Sequence, residues 1–584
     1  MNTQEYDILN ALERYSFANQ RKLAEQSGYS LGKVNLALKV LQKNDYINAD
    51  MKLTKKARAE IKHNKPKNAI ILAAGSGLRM IPINTEHPKA LLELHGEIFI
   101  ERIIKQLHEV GVTDITIVVG FMKEQFDYLI DEYGVKLVFA QNYMLTNNLH
   151  SLQKVSSKLG NTYLVPCDLW CLENPFSEKE YYSWYMLGDT LDKDSTYKVN
   201  RKQEIVATKN LEEGNLLIGI AYILEDDAKT IRNLLDTLVK DPAHNQDFWE
   251  DPLMKSGKLL LHAKVVNSNS VCEINTMEEL RALDEDSGQL NVEALKVVME
   301  VFNCELDDIK DITMLKMGIS NRSFKFSCKD EQYIMRIPGR DASTNREEEY
   351  AAYQVVAPTH LCDPLVYIHP TNGLKISKFI ENARNPDPQN MEDVRRCIAC
   401  LRKLHDKRLQ VDHVFNIYEM LETYETLWNG AQPAYKDYAQ TKAKILELKE
   451  FIDEQPKVWG LTHIDPHLDN FILTDNEIYL VDWEYAAMQD VHLDIVSLPF
   501  VGNYDKDMVD KLIDIYFEDK CEPAVRAKIY CYMSTLALVW TAWCESVRLR
   551  GIEVGEYALI QYRYAKDYYK YAKEGIELAR KADN

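Results

Sequence analysis

The sequence predicts a multidomain chain of mixed class: a small α+β module, then an α/β domain on a mostly parallel sheet, then a larger α+β domain. Three observations carry that prediction. The chain has 584 residues, too many for one hydrophobic core. From residue 69 onward, short apolar runs alternate with amphipathic stretches, as in strand–helix–strand units. Two loops rich in glycine or charge, Leu72 to Lys89 and Leu461 to Glu484, follow apolar runs in well-separated parts of the chain. The predicted boundaries are 1–64, 66–290 and 291–584.

With 46% apolar and 27% charged residues, the composition is that of a globular protein. A net charge of −20 argues against a protein that coats nucleic acid or an anionic membrane. No apolar stretch approaches the roughly 18 residues of a membrane span. The start Met1-Asn-Thr-Gln-Glu5 lacks the basic-then-apolar build of a signal peptide. The expectation is a cytoplasmic protein without membrane insertion. Eleven scattered cysteines suit reduced thiols. Cys397 and Cys400 form a C-x-x-C, but the helical apolar spacing around them points to core packing rather than zinc.

In the first module, helices are expected over Tyr6–Arg14, Gln20–Ser27 and Lys33–Asn44. Ser30 is placed to cap the third, which carries apolar Val34, Leu36, Leu38 and Leu41. Tyr46 to Thr54 reads as a small hairpin. The order resembles a winged helix-turn-helix, and Lys33, Lys39, Lys43, Lys52, Lys55, Lys56 and Arg58 make it locally basic. DNA contact through the helix at Lys33 and docking onto protein both suit it.

The α/β domain begins with a buried strand at Ala69–Leu72. Helix Phe99–Val110, strand Ile115–Val119, helix Glu124–Glu132 and strands Lys136–Ala140 and Tyr163–Pro166 follow. Ligands of such a sheet bind at the carboxyl ends of its strands. There the first loop runs Leu72-Ala73-Ala74-Gly75-Ser76-Gly77-Leu78-Arg79, a phosphate loop whose glycines expose backbone N–H groups. Arg79 and Lys89 supply the positive charge a departing diphosphate requires. Asp168, just after a strand, is placed to bind Mg²⁺.

This loop, with Gln141 to Leu152, Asp168, Phe248-Trp249-Glu250 and Glu273-Ile-Asn275-Thr276, resembles the CTP:phosphocholine cytidylyltransferases over about residues 66–290. The resemblance implies a Rossmann-like nucleotidyltransferase fold and attack of a phosphocholine oxygen on the α-phosphorus of CTP, giving CDP-choline and diphosphate. That family carries an Asp as second metal ligand where this chain has Asn275; Glu273 is the alternative. A trimethylammonium group donates no hydrogen bond and calls for aromatic faces beside a carboxylate. Trp170, Trp184 and Trp249 with Glu250 are the candidates, and Trp249-Glu250 is preferred.

In the last domain, Leu315 to Phe326 reads as strand, tight turn, strand, with Gly318, Ser320 and Asn321 placed over ATP phosphates. His463, Asp465 and Asn470 have the H-x-D-x-x-x-x-N spacing of a kinase catalytic loop, and Asp482 follows an apolar strand. Asp465 then accepts the proton of a substrate hydroxyl, Asn470 and Asp482 hold Mg²⁺, and His463 orients the loop. His467 and Asp469 are read as loop structure. The region resembles the choline and ethanolamine kinases of the aminoglycoside phosphotransferase group, with a protein-kinase-like fold, over about residues 300–584. That resemblance implies that Arg336 contacts ATP phosphates and pairs with Glu349, with Glu347 and Glu348 as alternatives. Trp540 and Trp543, on one helical face, then cage a quaternary ammonium with Glu484 and with Tyr557, Tyr562 or Tyr564.

Together the resemblances imply a bifunctional enzyme that phosphorylates choline with ATP and converts the phosphocholine with CTP into CDP-choline, Mg²⁺ assisting both steps. The same chemistries on ethanolamine or another amino alcohol are the nearest alternative. A sugar-phosphate nucleotidyltransferase fused to a small-molecule kinase is another. A choline-responsive transcriptional regulator with degenerate enzyme domains is the alternative of a different class.

Overall fold

Ser30 accepts a hydrogen bond from the Lys33 amide and Asn19 one from the Lys22 amide, so two of the N-terminal helices start at polar caps. The helices are α1 (Thr3–Arg14), α2 (Gln20–Ser27), α3 (Leu31–Lys43) and α4 (Lys55–His63). Val34, Leu38 and Leu41 turn inward, but Leu36, which lies about 200° around the helix from Val34, is 64% exposed. The expected hairpin is a single bridge, Ile47 to Leu53. The computed structural model describes residues 3–17, 19–63, 65–85, 87–143, 145–200, 203–208, 212–250, 254, 261–284, 287, 290, 292–317, 321–339, 344–549 and 554–582. The chain divides into two units, Met1–Leu295 and Lys296–Asn584.

The first unit continues into a seven-stranded sheet. Its strands are β1 (Asn68–Ala73), β2 (Asp114–Val119), β3 (Lys136–Phe139), β4 (Thr162–Pro166), β5 (Trp184–Asp192), β6 (Gly214–Ile223) and β7 (His262–Val266), in the order β7-β5-β6-β4-β1-β2-β3. Only β6 runs against the others. Alternate residues feed two cores: Ile71, Ile117 and Val165 pack on one face, Ile70, Val118 and Leu164 on the other. The helix expected over Glu124–Glu132 is split into a 3₁₀ turn, Lys123–Phe126, and a short helix, Tyr128–Tyr133, which lets Phe126 and Leu129 both reach the core.

The second unit opens with an antiparallel sheet of β8 (Lys310–Met317), β9 (Asn321–Cys328), β10 (Glu331–Pro338), β11 (Leu365–Ile368) and β12 (Lys375–Lys378), ordered β8-β9-β10-β12-β11. Helix α5 (Arg346–Val356) lies between β10 and β11 in the chain. Helices α6 (Met391–Asp406), α7 (Ile417–Thr426), α8 (Pro523–Leu549) and α9 (Glu556–Ala582) enclose a large apolar core. Cys397 and Cys400 are buried in that core. Asp465, Asn470 and Asp482 lie on the loops between two small β-pairs, Trp459–Thr462 with Ala487–Asp490 and Phe471–Leu473 with Ile478–Leu480.

Candidate active sites

The first site forms where β1 ends. Leu72, Ala73 and Ala74 are buried, and the chain then turns through Gly75 and Gly77. A Cβ on Gly75 would meet nothing within 4 Å, so this stretch of backbone faces open space. Gly77 has φ +60°, a conformation that favours glycine. Asn84 holds the loop by donating to the carbonyls of Ser76 and Gly77, both at 3.0 Å. At Gly120 a Cβ would fall 2.6 Å from the Ala74 carbonyl oxygen, so the next strand end packs against the loop only as glycine.

Two short paired strands, Leu169–Cys171 and Val271–Glu273, return the chain to this loop, and the Ile274 amide donates to the Asp168 carbonyl at 3.3 Å. The side chains thus assembled are Arg79, Lys89, Asp168, Glu273 and Asn275. Lys89 Nζ is 2.6 Å from Asp168 Oδ2 and 2.6 Å from Asn275 Oδ1. Arg79 donates to the same Asn275 Oδ1 at 2.9 Å, and the Asn275 amide donates to Glu273 at 2.8 Å. Asn275 is therefore a hub for two cations. Lys89 engages one Asp168 oxygen and the Asn275 amide oxygen is engaged twice, so a metal here would draw on the carboxylates of Asp168 and Glu273, donors of the kind that hold Mg²⁺ together with substrate phosphates.

The aromatic expectation for this domain is corrected. Trp249 is 1% exposed and packs on Tyr185, with ring centroids 6.0 Å apart, inside the sheet core. Trp170 lies against Phe99 with Arg102 over its face, and Trp184 carries Lys264 at 4.1 Å over its ring. A large ring next to a parallel sheet gains most by full burial, and each of the three has done so. Glu250 keeps a polar role: it takes a hydrogen bond from the buried Tyr185 hydroxyl, beside Gly219 and Pro166 at the end of β4.

The second site lies under β9 and β10. Gly318 and Ser320 fall outside the described residues. Asn321 Nδ2 is 3.4 Å from Asp482 and 3.3 Å from Glu484. Arg336 makes a bidentate pair with Glu349, donates to the Gly373 carbonyl at 2.9 Å and lies 3.6 Å from Asp482. Of the three glutamates at the start of α5, Glu349 is the buried one and the partner. Burial works to raise its carboxyl pKa, but Arg336 and Arg346 outweigh it and hold the group below the usual range.

Asp465 is partly buried, with 20% of its side chain exposed, and desolvation together with Asp482, Glu484 and Asp494 pushes its carboxyl well above the usual carboxylate range. Asn470 Nδ2 donates to the Asp465 carbonyl at 2.9 Å, and the Asn470 carbonyl accepts at 2.8 Å from the amide of Val481, the residue before Asp482; the Asn470 amide oxygen and the Asp482 carboxylate are both oxygen donors. Two oxygen donors of this kind fit Mg²⁺. His463 donates to the Val481 carbonyl at 3.0 Å, and burial lowers its pKa to about 4. Asp494, which lies inside the apolar run Val491–Phe500, anchors the loop. It accepts from the His463 and Ile464 amides at 3.0 and 2.7 Å and pairs with His405 at 2.9 Å. A lone carboxylate within an apolar run is the signal that could have found it. Ile464 and Asp482 have φ +76° and +67°, strained conformations flanking Asp465.

Trp540 and Trp543 sit on α8. Trp540 meets Tyr485 edge-on at 5.5 Å and Tyr424 at 6.4 Å, and the Tyr424 hydroxyl donates to Tyr485 at 3.2 Å. Trp543 meets Tyr557 at 6.5 Å. The indole N–H groups of both tryptophans lack an acceptor among the described residues. Tyr557 lies near enough to Asp465 to feel its charge, second to burial in raising the hydroxyl pKa. Tyr562 instead bonds Asp437 and Tyr564 bonds the Tyr504 carbonyl, so neither joins this cluster. Glu484 lies with Asn321 and Arg346, on the side of the expected phosphates. Its chain neighbour Tyr485, and Tyr424 on α7, are the cluster members that the sequence reading missed.

A MobA-like NTP transferase domain model matches residues 69–180, a phosphotransferase enzyme family model residues 311–528, and a winged helix-turn-helix DNA-binding model residues 1–48. The choline-phosphate cytidylyltransferase of Streptococcus pneumoniae is 33% identical over 223 residues, 37% of this chain and 96% of that protein. The 2-aminoethylphosphonate cytidylyltransferase of Lancefieldella rimae is 32% identical over 230 residues, 37% of this chain and 92% of that protein. Protein LicA of Haemophilus influenzae is 20% identical over 257 residues, 41% of this chain and 95% of that protein. This chain belongs to the family of the choline-phosphate cytidylyltransferases, and it carries in addition a member of the phosphotransferase enzyme family and a winged helix-turn-helix.

Proposed function

We propose that the chain makes CDP-choline in two steps. The C-terminal centre phosphorylates choline with ATP, and the central one transfers CMP from CTP to the phosphocholine with release of diphosphate. The domains that carry this are 1–64, 66–290 and 291–584. The observation that supports the choice of choline is the aromatic cluster of Tyr424, Tyr485, Trp540, Trp543 and Tyr557 beside Asp465, since ring faces attract a quaternary ammonium that no hydrogen-bond acceptor can hold.

In the kinase step Asp465 takes the proton of the choline hydroxyl as the oxygen attacks the γ-phosphorus of ATP, the bond from that phosphorus to the bridging oxygen breaks and ADP leaves, with Arg336 contacting the phosphates. Asn470 and Asp482 would hold Mg²⁺, which supplies charge neutralisation on the phosphates. In the transfer step the Leu72–Gly77 loop receives the CTP phosphates. Arg79 and Lys89 stabilise the charge that develops on the leaving diphosphate, with Asp168 and Asn275 orienting Lys89. Glu250 offers a carboxylate to the substrate ammonium. Both steps rest on positioning and charge rather than a covalent intermediate. The eleven free cysteines support a cytoplasmic setting. No described helix is long and apolar enough to cross a membrane. The basic α3 face suits contact with DNA or protein.

A second reading, the same two chemistries on a primary amino alcohol, is favoured by the 2-aminoethylphosphonate relative. A phosphorus NMR time course with choline, ATP, CTP and Mg²⁺ tests the proposal. The parent chain is expected to make CDP-choline from choline, Asp465→Ala only from added phosphocholine, and Lys89→Ala to stop at phosphocholine. Turnover of ethanolamine in preference to choline favours the second reading. No nucleotide product from either substrate sinks the transferase assignment.

A further inference from the structure

Arg346, the first residue of α5, was not singled out by any motif. Its Nη1 lies 2.8 Å from Glu349 and 3.2 Å from Glu484, with one-tenth of the side chain exposed. The remaining nitrogen, Nη2, is buried without a partner among the described residues. The fold makes room for this arginine. At Gly373, where φ is +71°, a Cβ would fall 2.6 Å from Arg346 Cδ, so a side chain there would displace the guanidinium stem.

The charges around it are unequal. Asp465, Asp482, Glu484 and Glu349 converge here, whereas Arg336 is bonded to Glu349 and the Gly373 carbonyl and lies 3.6 Å from Asp482. Among the described residues Arg346 is the sole cation within 4.0 Å of Glu484, whose side chain is 5% exposed. An unpaired carboxylate buried at this depth is costly and repels an arriving triphosphate.

We propose that Arg346 is a positioning residue of the phosphotransfer centre: it neutralises Glu484 and ties it to the Arg336–Glu349 pair, so that the triphosphate of ATP meets a held, compensated carboxylate. This rests on reading residues 291–584 as an ATP-dependent kinase. Lysine at this position keeps the charge but not the planar fork that reaches two carboxylates. An amide at position 484 removes the need for a counter-charge altogether.

Titration calorimetry of the full chain with ATP and Mg²⁺, without acceptor, tests this. Arg346→Ala is expected to weaken ATP binding by about tenfold or more, about 1.4 kcal/mol, and Arg346→Lys by less. The double variant Arg346→Ala/Glu484→Gln is expected to bind within about threefold of the parent, because the two sites are coupled. Loss of packing along Gly373 alone would not be rescued by a change at Glu484. ATP binding by Arg346→Ala equal to the parent's, or no recovery in the double variant, overturns the inference while the kinase reading stands. Failure of the parent to bind ATP overturns both.

Discussion

Asn275 and His492 illustrate how single side chains act through their neighbours. Asn275 stands where a family carboxylate is expected, and its orientation is dictated on both sides: its oxygen serves Lys89 and Arg79, its nitrogen serves Glu273. The residue type was legible in the sequence, but not that the amide would join two cations to a carboxylate. His492 lies between Asp490, 3.4 Å from its Nδ1, and the rings of Tyr516 and Phe517. Burial is the main cause of a pKa lowered to about 4; Asp490 opposes it, and Lys528 and His405 reinforce it. In the unfolded chain the group titrates near ~6.5. Between about pH 6.5 and 4, then, the unfolded state binds a proton that the folded state does not. The stability it contributes is complete above that window and falls as pH drops through it, by about 2 kcal/mol at pH 5. His492→Gln is expected to flatten the acid limb of thermal stability. Melting temperatures at pH 7 and pH 5 check this, and an unchanged slope would refute it.

At the scale of elements, α8 carries two rings of the proposed acceptor site. Nearly the whole of this 27-residue helix is buried, from Ala527 to Val547 with one partly exposed member, Trp543. Its two tryptophans at i,i+3 were legible as a stripe. Their partners were not, because Tyr424 and Tyr485 come from distant parts of the chain and meet Trp540 only once α7 packs across α8. A desolvated cation–π contact is worth up to about 2 kcal/mol. Trp540→Leu, which keeps most of the apolar volume, is therefore expected to raise the KM for choline roughly tenfold to thirtyfold. The KM for ethanolamine should shift far less. Steady-state kinetics with both substrates checks this, and equal shifts would show that the ring is only packing.

At the scale of the whole molecule, the N-terminal module is seated on the transferase. Tyr181, from the segment that leads into β5, is buried in the core of the winged helix beside Tyr6. Its hydroxyl donates to Asn10 at 2.9 Å and Glu13 at 3.0 Å. Lys179 pairs with Glu13 at 2.7 Å, and Tyr182 donates to Asp7 at 3.3 Å. The polar stretch His63 to Asn68 reads as a linker, but α1 is held by side chains more than a hundred residues away. Truncating a buried aromatic ring costs about 3 kcal/mol. Tyr181→Ala is therefore expected to speed hydrogen exchange in α1 and α3, with α6 and α8 unchanged; identical exchange in α1 would contradict the seating.

The sequence by itself determined the order of the three domain types and the chemistry of both centres. Phosphate loops and kinase loops are contiguous, and their spacing is set by local backbone geometry. The tertiary structure decided which charges meet. It sent Glu484 to Arg346 rather than to the ring cluster, buried Trp249 in the sheet, and brought Asp494 under the catalytic loop and Tyr181 into the winged helix. Those pairings join residues tens to hundreds of positions apart, where burial and the cost of an unpaired charge decide the outcome and no local pattern records it.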